Sequence, residues 1–163
     1  MNEITLDIET TGLSPFECRI TCIGCKTDNE EKMFLDIDEK KLLQDFWKWI
    51  GQFEMPRVVG FNVYSFDIRW IYLRSMKYDL EITKNIKTGW TDLQYSLQFY
   101  NRSARGKLND YGCLLGIGEK EGDGLGAIIL WEEAKYDELK KYCLQDIRIT
   151  YELYQKCKKA NVI

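Results

Sequence analysis

Apolar and polar residues alternate at the start of the chain. Ile4, Leu6 and Ile8 are separated by Thr5 and Asp7, the period of two that puts one set of side chains on one face of a strand. Residues 3–8 therefore predict a strand, and so do 19–26 and 31–36. The polar run Asp28-Asn29-Glu30-Glu31 supplies the turn between the second and third, so the three predict a meander. The period then lengthens. Leu42, Phe46, Trp49, Ile50 and Phe53 fall on one stripe and predict a helix over 39–53. A short buried strand is expected over 57–61. Ser65 is the expected N-cap of a helix running to Met76, with Phe66, Trp70, Leu73 and Met76 facing inward. A fifth strand is expected over 86–91, ending at Thr91-Asp92, followed by helices over 92–100, 107–115, 125–134 and 136–158. Strands alternating with helices after a meander predict an α/β chain with a mixed, five-stranded central sheet. Sites in such sheets lie at the carboxyl ends of strands, and Asp7 and Glu9 fall at one.

Composition narrows the class. The chain has 163 residues, 45% of them apolar and 13% aromatic, enough for one domain over 1–163 with a full core. No apolar run reaches the ~20 residues of a membrane span. The first residues lack the basic and apolar regions of a secretory signal, so an intracellular, cytoplasmic protein is expected. Its six cysteines are then expected as reduced thiols. Cys22 and Cys25 form a C-x-x-C pair, but residues three apart on a strand point to opposite faces, no second pair follows, and the chain contains no His. Buried thiols are expected there rather than zinc. A net charge of −3 argues against a broad electrostatic nucleic-acid binder. It leaves open an enzyme that gathers acids around metal ions and holds a few nucleotides in a local groove.

Three sets of acids stand out along the chain. Asp7 and Glu9 share one face of the first strand, about 7 Å apart along it. Two carboxylates so placed repel and are costly to desolvate. A divalent cation removes that cost, and oxygen-only ligands favour Mg²⁺ or Mn²⁺. Asp67 is expected in the first turn of its helix, where the dipole favours an acid, with Asn62 and Phe66 just before it. Tyr142 and Asp146, four apart, are neighbours on one helix face, in a row continued by Ile149 and Leu153. The adjacent row, Leu139, Cys143, Ile147, Thr150 and Tyr154, is expected in the core. Arg102, Arg105 and Lys107 in the loop 101–107 are the best local basic candidates for a phosphate backbone. The glycine-rich 116–126 follows a helix rather than a strand, lacks phosphate-loop spacing, and is expected as a helix C-cap and turn.

Taken in order, Asp7-Ile8-Glu9-Thr10-Thr11-Gly12-Leu13, Asn62-Val63-Tyr64-Ser65-Phe66-Asp67 and Tyr142-Cys143-Leu144-Gln145-Asp146 resemble the three motifs of the DEDD superfamily of 3′–5′ exonucleases, which are DnaQ-like and have a ribonuclease H-like fold. More narrowly, the chain resembles the tyrosine-bearing DEDDy branch and is similar to the proofreading domain of family-B DNA polymerases. The histidine-bearing branch is excluded by composition. No polymerase segment follows the motifs, so a polymerase or repair partner is expected as a separate chain.

The resemblance implies a hydrolase that shortens nucleic acid from its 3′ end to nucleoside 5′-monophosphates. Single-stranded or frayed DNA is the favoured substrate. Asp7, Glu9, Asp67 and Asp146 would hold two divalent ions, Mg²⁺ or Mn²⁺, about 4 Å apart. Tyr142 would orient the attacking water, since a phenol of pKa ~10 is a poor base at neutral pH. Thr10 and Thr11 would contact the terminal nucleotide's hydroxyl and Leu13 its base. Asn62 and Phe66 would position the penultimate nucleotide. An exoribonuclease, an endonuclease of the same fold and a non-catalytic nucleic-acid-binding module stand as alternatives.

Overall fold

The computed structural model describes residues 3–83, 89–99, 101, 103, 106–119 and 124–163. Five strands form one sheet in the order β3-β2-β1-β4-β5. β1 (Glu3–Thr10), β2 (Ile20–Lys26) and β3 (Glu31–Phe34) make the expected antiparallel meander. β4 (Arg57–Gly60) and β5 (Trp90–Asp92) add in parallel on the other side of β1. The sheet is thus mixed, and β1 is its central strand. Alternation along β1 does not separate core from solvent, because helices cover both faces. Ile4, Leu6 and Ile8 pack under α1 (Glu39–Ile50) and α2 (Asp67–Lys77). The opposite face meets α6 (Tyr136–Lys159), which packs on β1, β2, β3 and β4.

The long α6 is buried along the expected row of Leu139, Cys143, Ile147, Thr150 and Tyr154. The second row, Asp146, Ile149 and Leu153, is buried as well. Two contacts set its register. The Cys143 thiol donates to Asp7 O at 3.9 Å. Eleven residues on, the Tyr154 hydroxyl donates to Glu3 Oε1 at 2.6 Å. That helical step of about 16 Å matches four strand residues of about 13 Å, so α6 runs antiparallel to β1. Gly24 makes the close approach possible, since a Cβ there would stand 2.8 Å from Cys143 Sγ. Cys22 joins the cluster with Cys143 on this side, while Cys25 packs with the α1–α2 side. The C-x-x-C pair is divided between two faces, as alternation requires.

Several boundaries differ from expectation. Asp38 caps α1, accepting Lys40 N at 2.9 Å, and the helix ends at Ile50 rather than 53. Ser65 caps nothing: α2 starts at Asp67, its cap position is Phe66, and no side chain bonds there. The turn closes instead through Ile68 N to Val63 O at 3.0 Å. The fifth strand is shifted to Trp90–Asp92, while residues 84–88 of the expected strand lie outside the described residues. The helix expected over 92–100 is the short α3 (Leu93–Leu97). α4 (Leu108–Leu115) and α5 (Gly124–Glu132) stand where two helices were expected. Gly116 ends α4 in the left-handed conformation, φ +61°, the expected C-cap.

A buried ion pair joins the α1–α2 side. Glu39 accepts Arg74 Nε at 2.9 Å, bonds Arg74 Nη2, and takes the Tyr78 hydroxyl at 2.8 Å. The same carboxylate accepts Ile20 N at 2.7 Å, and Arg74 Nη1 donates to Pro15 O at 3.1 Å. One pair thus ties both helices to β2 and to the loop after β1. Breaking a buried pair strands a charge and costs about 3–5 kcal/mol. Arg74→Met should therefore lower the urea midpoint by that amount of stability, while a change at the exposed Lys140–Asp137 pair should leave the midpoint unmoved.

Candidate active site

The site is built where the sheet splits. β1 pairs with β4 only at Glu3, Ile4 and Thr5, because β4 ends at Gly60. Gly60 makes a tight turn: a Cβ there would meet Val63 Cβ at 2.9 Å and Leu6 O at 3.1 Å. β1 runs on past this point with its β4-side backbone unpaired, and a buried N–H must find an acceptor. Asp67 provides it, its Oδ1 accepting Ile8 N at 3.2 Å. The role of Asp67 is more than completing a helix start. It stands in for a missing strand and is thereby brought beside Asp7 and Glu9.

Asp7 and Glu9 face α6. Their carboxylate oxygens and Cys143 Sγ all lie within 4.8 Å of one another. Glu9 is 7% exposed; Asp67 and Asp146 are buried. Tyr142 stands beside Cys143 on α6 and packs against the buried cluster of Cys22, Ala127, Leu139 and Cys143. α5 passes close to that ring, with Gly126 so near that a Cβ there would make ordinary contact with it at 3.7 Å. A cavity of about 320 Å³ opens beside Glu9, lined by Thr10, Leu13, Phe66, Leu125 and Ile128.

Electrostatics fit a cation. Burial pushes the Asp67 carboxyl up to about 8, and the charge of Asp92 adds to the rise against hydrogen bonds from Ile8 N and its own N–H. A hydrogen bond with Cys22, then burial and the charges of Asp7 and Glu9, hold the Cys143 thiol well above the usual thiol range. The sulfur is therefore a neutral neighbour, and the charged donors are carboxylate oxygens. This donor set suits Mg²⁺ or Mn²⁺.

The other expected residues are placed as follows. Leu13 is 86% exposed at the cavity mouth. Phe66 lines that cavity and packs on Trp70 with ring centroids 5.6 Å apart. The Thr10 hydroxyl donates to Gly12 O at 2.6 Å, and the Thr11 hydroxyl accepts Arg19 N at 3.1 Å, so both shape the loop after β1. Asn62 sits at φ +62°, a conformation asparagine tolerates. Lys107 is exposed just before α4, its N–H donating to Asp110 Oδ2 at 2.7 Å. Arg102 and Arg105 lie outside the described residues.

Asp92 was missed. It caps α3, accepting Tyr95 N at 3.0 Å, and it also accepts Asn62 N at 3.1 Å and Tyr64 N at 3.0 Å. It holds the whole β4–α2 loop on which Asp67 depends. An acid directly before an apolar helical residue was its signal. The expectation of a helix starting at Asp92 itself obscured it.

The family profile of predicted 3′–5′ exonucleases related to the exonuclease domain of PolB matches residues 17–162. The chain belongs to this family. As a PolB-related exonuclease domain it is 35% identical over 167 residues to an uncharacterized protein of Methanocaldococcus jannaschii, covering 95% of this chain and 94% of that one. A DNA polymerase of Archaeoglobus fulgidus is 38% identical over 55 residues, which are 34% of this chain and 7% of the polymerase. The fold matches the family B DNA polymerase of Pyrobaculum calidifontis with a TM-score of 0.82 at 18% identity. That match covers 96% of this chain and 24% of the polymerase, so the PolB-related domain spans a small part of either polymerase. The ribonuclease H-like fold expected from the motifs is the one observed. No described helix is long and apolar enough to cross a membrane.

The raised Asp67 carboxyl gives a pH signature. The unfolded chain releases this proton near its ordinary pKa of about 3.9, whereas the folded chain keeps it to about 8. Between those values the native state holds the extra proton, so stability falls as pH rises. In EDTA, the contribution of Asp67 should lower the melting temperature progressively from pH 5 to pH 8. Asp67→Asn should remove that slope, and Mn²⁺ added at pH 8 should raise the melting temperature of the wild type more than that of the variant.

Proposed function

We propose that this PolB-related domain is a divalent-metal-dependent 3′–5′ exonuclease of the tyrosine-bearing DEDD branch, acting on single-stranded or frayed DNA. The observation that carries it is the joint at Ile8. Asp67 is bonded to the strand between Asp7 and Glu9, while α6 crosses that strand with Tyr142 and Asp146 flanking Cys143. Asp7 and Glu9 on the strand and Asp67 at a helix start are thus held at one strand end, and we add Asp146, three residues beyond Cys143 on α6. Short likeness to a DNA polymerase supports DNA over RNA.

Asp7, Glu9, Asp67 and Asp146 would hold the metal, which supplies a Lewis acid for the phosphate and lowers the pKa of bound water. The carboxylates stand on strand and helix backbone, so they would hold a cation against the scissile phosphate with little reorganisation. Tyr142 orients the attacking water with its hydroxyl, and α5 packed at its ring fixes that direction. The terminal base enters the apolar cavity between Leu13, Phe66 and Leu125, leaving its sugar and phosphate at Glu9. A cavity lined mainly by aliphatic and aromatic groups accepts any base. Water would form a bond to the terminal nucleotide's phosphorus as the bond from that phosphorus to the penultimate sugar's 3′ oxygen breaks. That oxygen takes up a proton from solvent to become the new 3′ hydroxyl, and the nucleoside 5′-monophosphate departs.

With Mg²⁺ or Mn²⁺, 5′-labelled single-stranded oligonucleotides should shorten stepwise from the 3′ end. Asp7→Ala or Asp146→Ala should slow this by about 10²–10³-fold or more, and Tyr142→Phe should slow it less. Internal cuts in place of a ladder would assign an endonuclease, and intact strands with both metals would contradict the assignment for DNA.

A further inference from the structure

Two exposed tyrosines border the segment that carries Asp67. Tyr64, in the loop between β4 and α2, is 49% exposed, and Tyr95, on α3, is 63% exposed. Their ring centroids are 6.2 Å apart with the planes at 66°, an edge-to-face pair. Surface aromatics are ordinary singly. These two are distinguished by how they are held.

One buried carboxylate fixes both backbones. Asp92 Oδ2 accepts Tyr64 N at 3.0 Å, and its Oδ1 accepts Tyr95 N at 3.0 Å and Asn62 N at 3.1 Å. The Tyr64 hydroxyl donates to Trp90 O at 2.9 Å, which fixes that ring's direction. Rings so fixed lose little entropy when a partner stacks on them. Tyr64 lies three residues before Asp67, in the loop that leads into α2, so the pair borders the segment that carries this acid. Next to Tyr95, Gln94 Nε2 donates to Gly106 O at 3.0 Å. That bond ties the residue before the exposed Lys107 to the helix that carries Tyr95.

We infer that Tyr64 and Tyr95, with Lys107, form an upstream subsite that stacks the unpaired bases of a single strand whose 3′ end lies at the four acids. The subsite rests on the exonuclease assignment for its direction, and it adds a preference. Stacking on a side chain needs a base whose face is not already stacked in a duplex, and it tolerates any sequence. The enzyme therefore gains affinity with single-strand length and none from paired DNA.

The test uses an oligothymidylate dinucleotide and octanucleotide, each 5′-labelled with fluorescein, bound in Mg²⁺ to chains also carrying Asp146→Ala to prevent cleavage. Tyr64→Ala with Tyr95→Ala should weaken octanucleotide binding about tenfold, within the range of base–aromatic stacking, and leave dinucleotide binding unchanged. Tyr95→Leu, which keeps apolar bulk without a flat face, should weaken the octanucleotide as Tyr95→Ala does. Tyr64→Phe, which keeps the ring and loses the bond that fixes its direction, should weaken octanucleotide binding less than Tyr64→Ala does. With Asp146 restored, hydrolysis of the p-nitrophenyl ester of thymidine 5′-monophosphate should be equal with and without the tyrosines. Equal octanucleotide affinity in the tyrosine variants, or an equal loss for the dinucleotide, overturns the subsite. Tyrosine-dependent binding in a chain that hydrolyses neither ester nor strand would uphold the subsite and refute the exonuclease.

Discussion

The hydrogen bond from Ile8 N to Asp67 Oδ1 takes the place of a missing strand. β4 leaves β1 after Thr5, and the backbone beyond it is buried. An acceptor is obligatory there, and an uncompensated loss would cost about 1–3 kcal/mol. A carboxylate from the next helix meets the need, and in doing so arrives beside two further carboxylates. The acid cluster is thus a consequence of how the sheet ends. Fold and candidate chemistry share one bond.

The same device recurs around the sheet. Glu39 accepts Ile20 N at the start of β2, and Asp92 accepts two N–H groups in the loop after β4. Three buried carboxylates each stand at a strand end and satisfy main-chain donors. Their charges are handled differently. Arg74 lies against Glu39 and makes that position structural. At Asp67 burial raises the carboxyl, the charge of Asp92 adds to the rise, and the group holds its proton to about 8. A buried group whose ionisation is opposed by its neighbours is one that a divalent ion would complete.

The chemistry was easier to see in the sequence than the geometry that assembles it. Asp7 and Glu9 stand out in the sequence because two acids share one face of a strand, and Tyr142 with Asp146 because they share a helix face otherwise apolar. The α6 core row was legible from its period. The meander was legible from alternation and a polar turn. Long-range acceptors were not. Nothing local marks Asp67 as the partner of Ile8, 59 positions away, or Glu39 as the partner of Arg74. Ser65 was misjudged as a cap because cap propensity is local, whereas the turn before α2 is closed by backbone and by Asp92. Cys143 was correctly expected in the core, yet its nearness to the acids depends on Gly24 across the sheet. Thr10 and Thr11 were given to the substrate by resemblance, and their hydroxyls are found shaping the loop.

The central claim is that a strand end, a helix start and α6 together make one divalent-ion site. Counting bound Mn²⁺ by electron paramagnetic resonance at neutral pH addresses it without depending on substrate. About two ions per chain are expected, with Asp67→Asn losing at least one of them and the exposed Asp137→Asn losing none. Absence of bound Mn²⁺ in the wild type, or unchanged binding in Asp67→Asn, would contradict it.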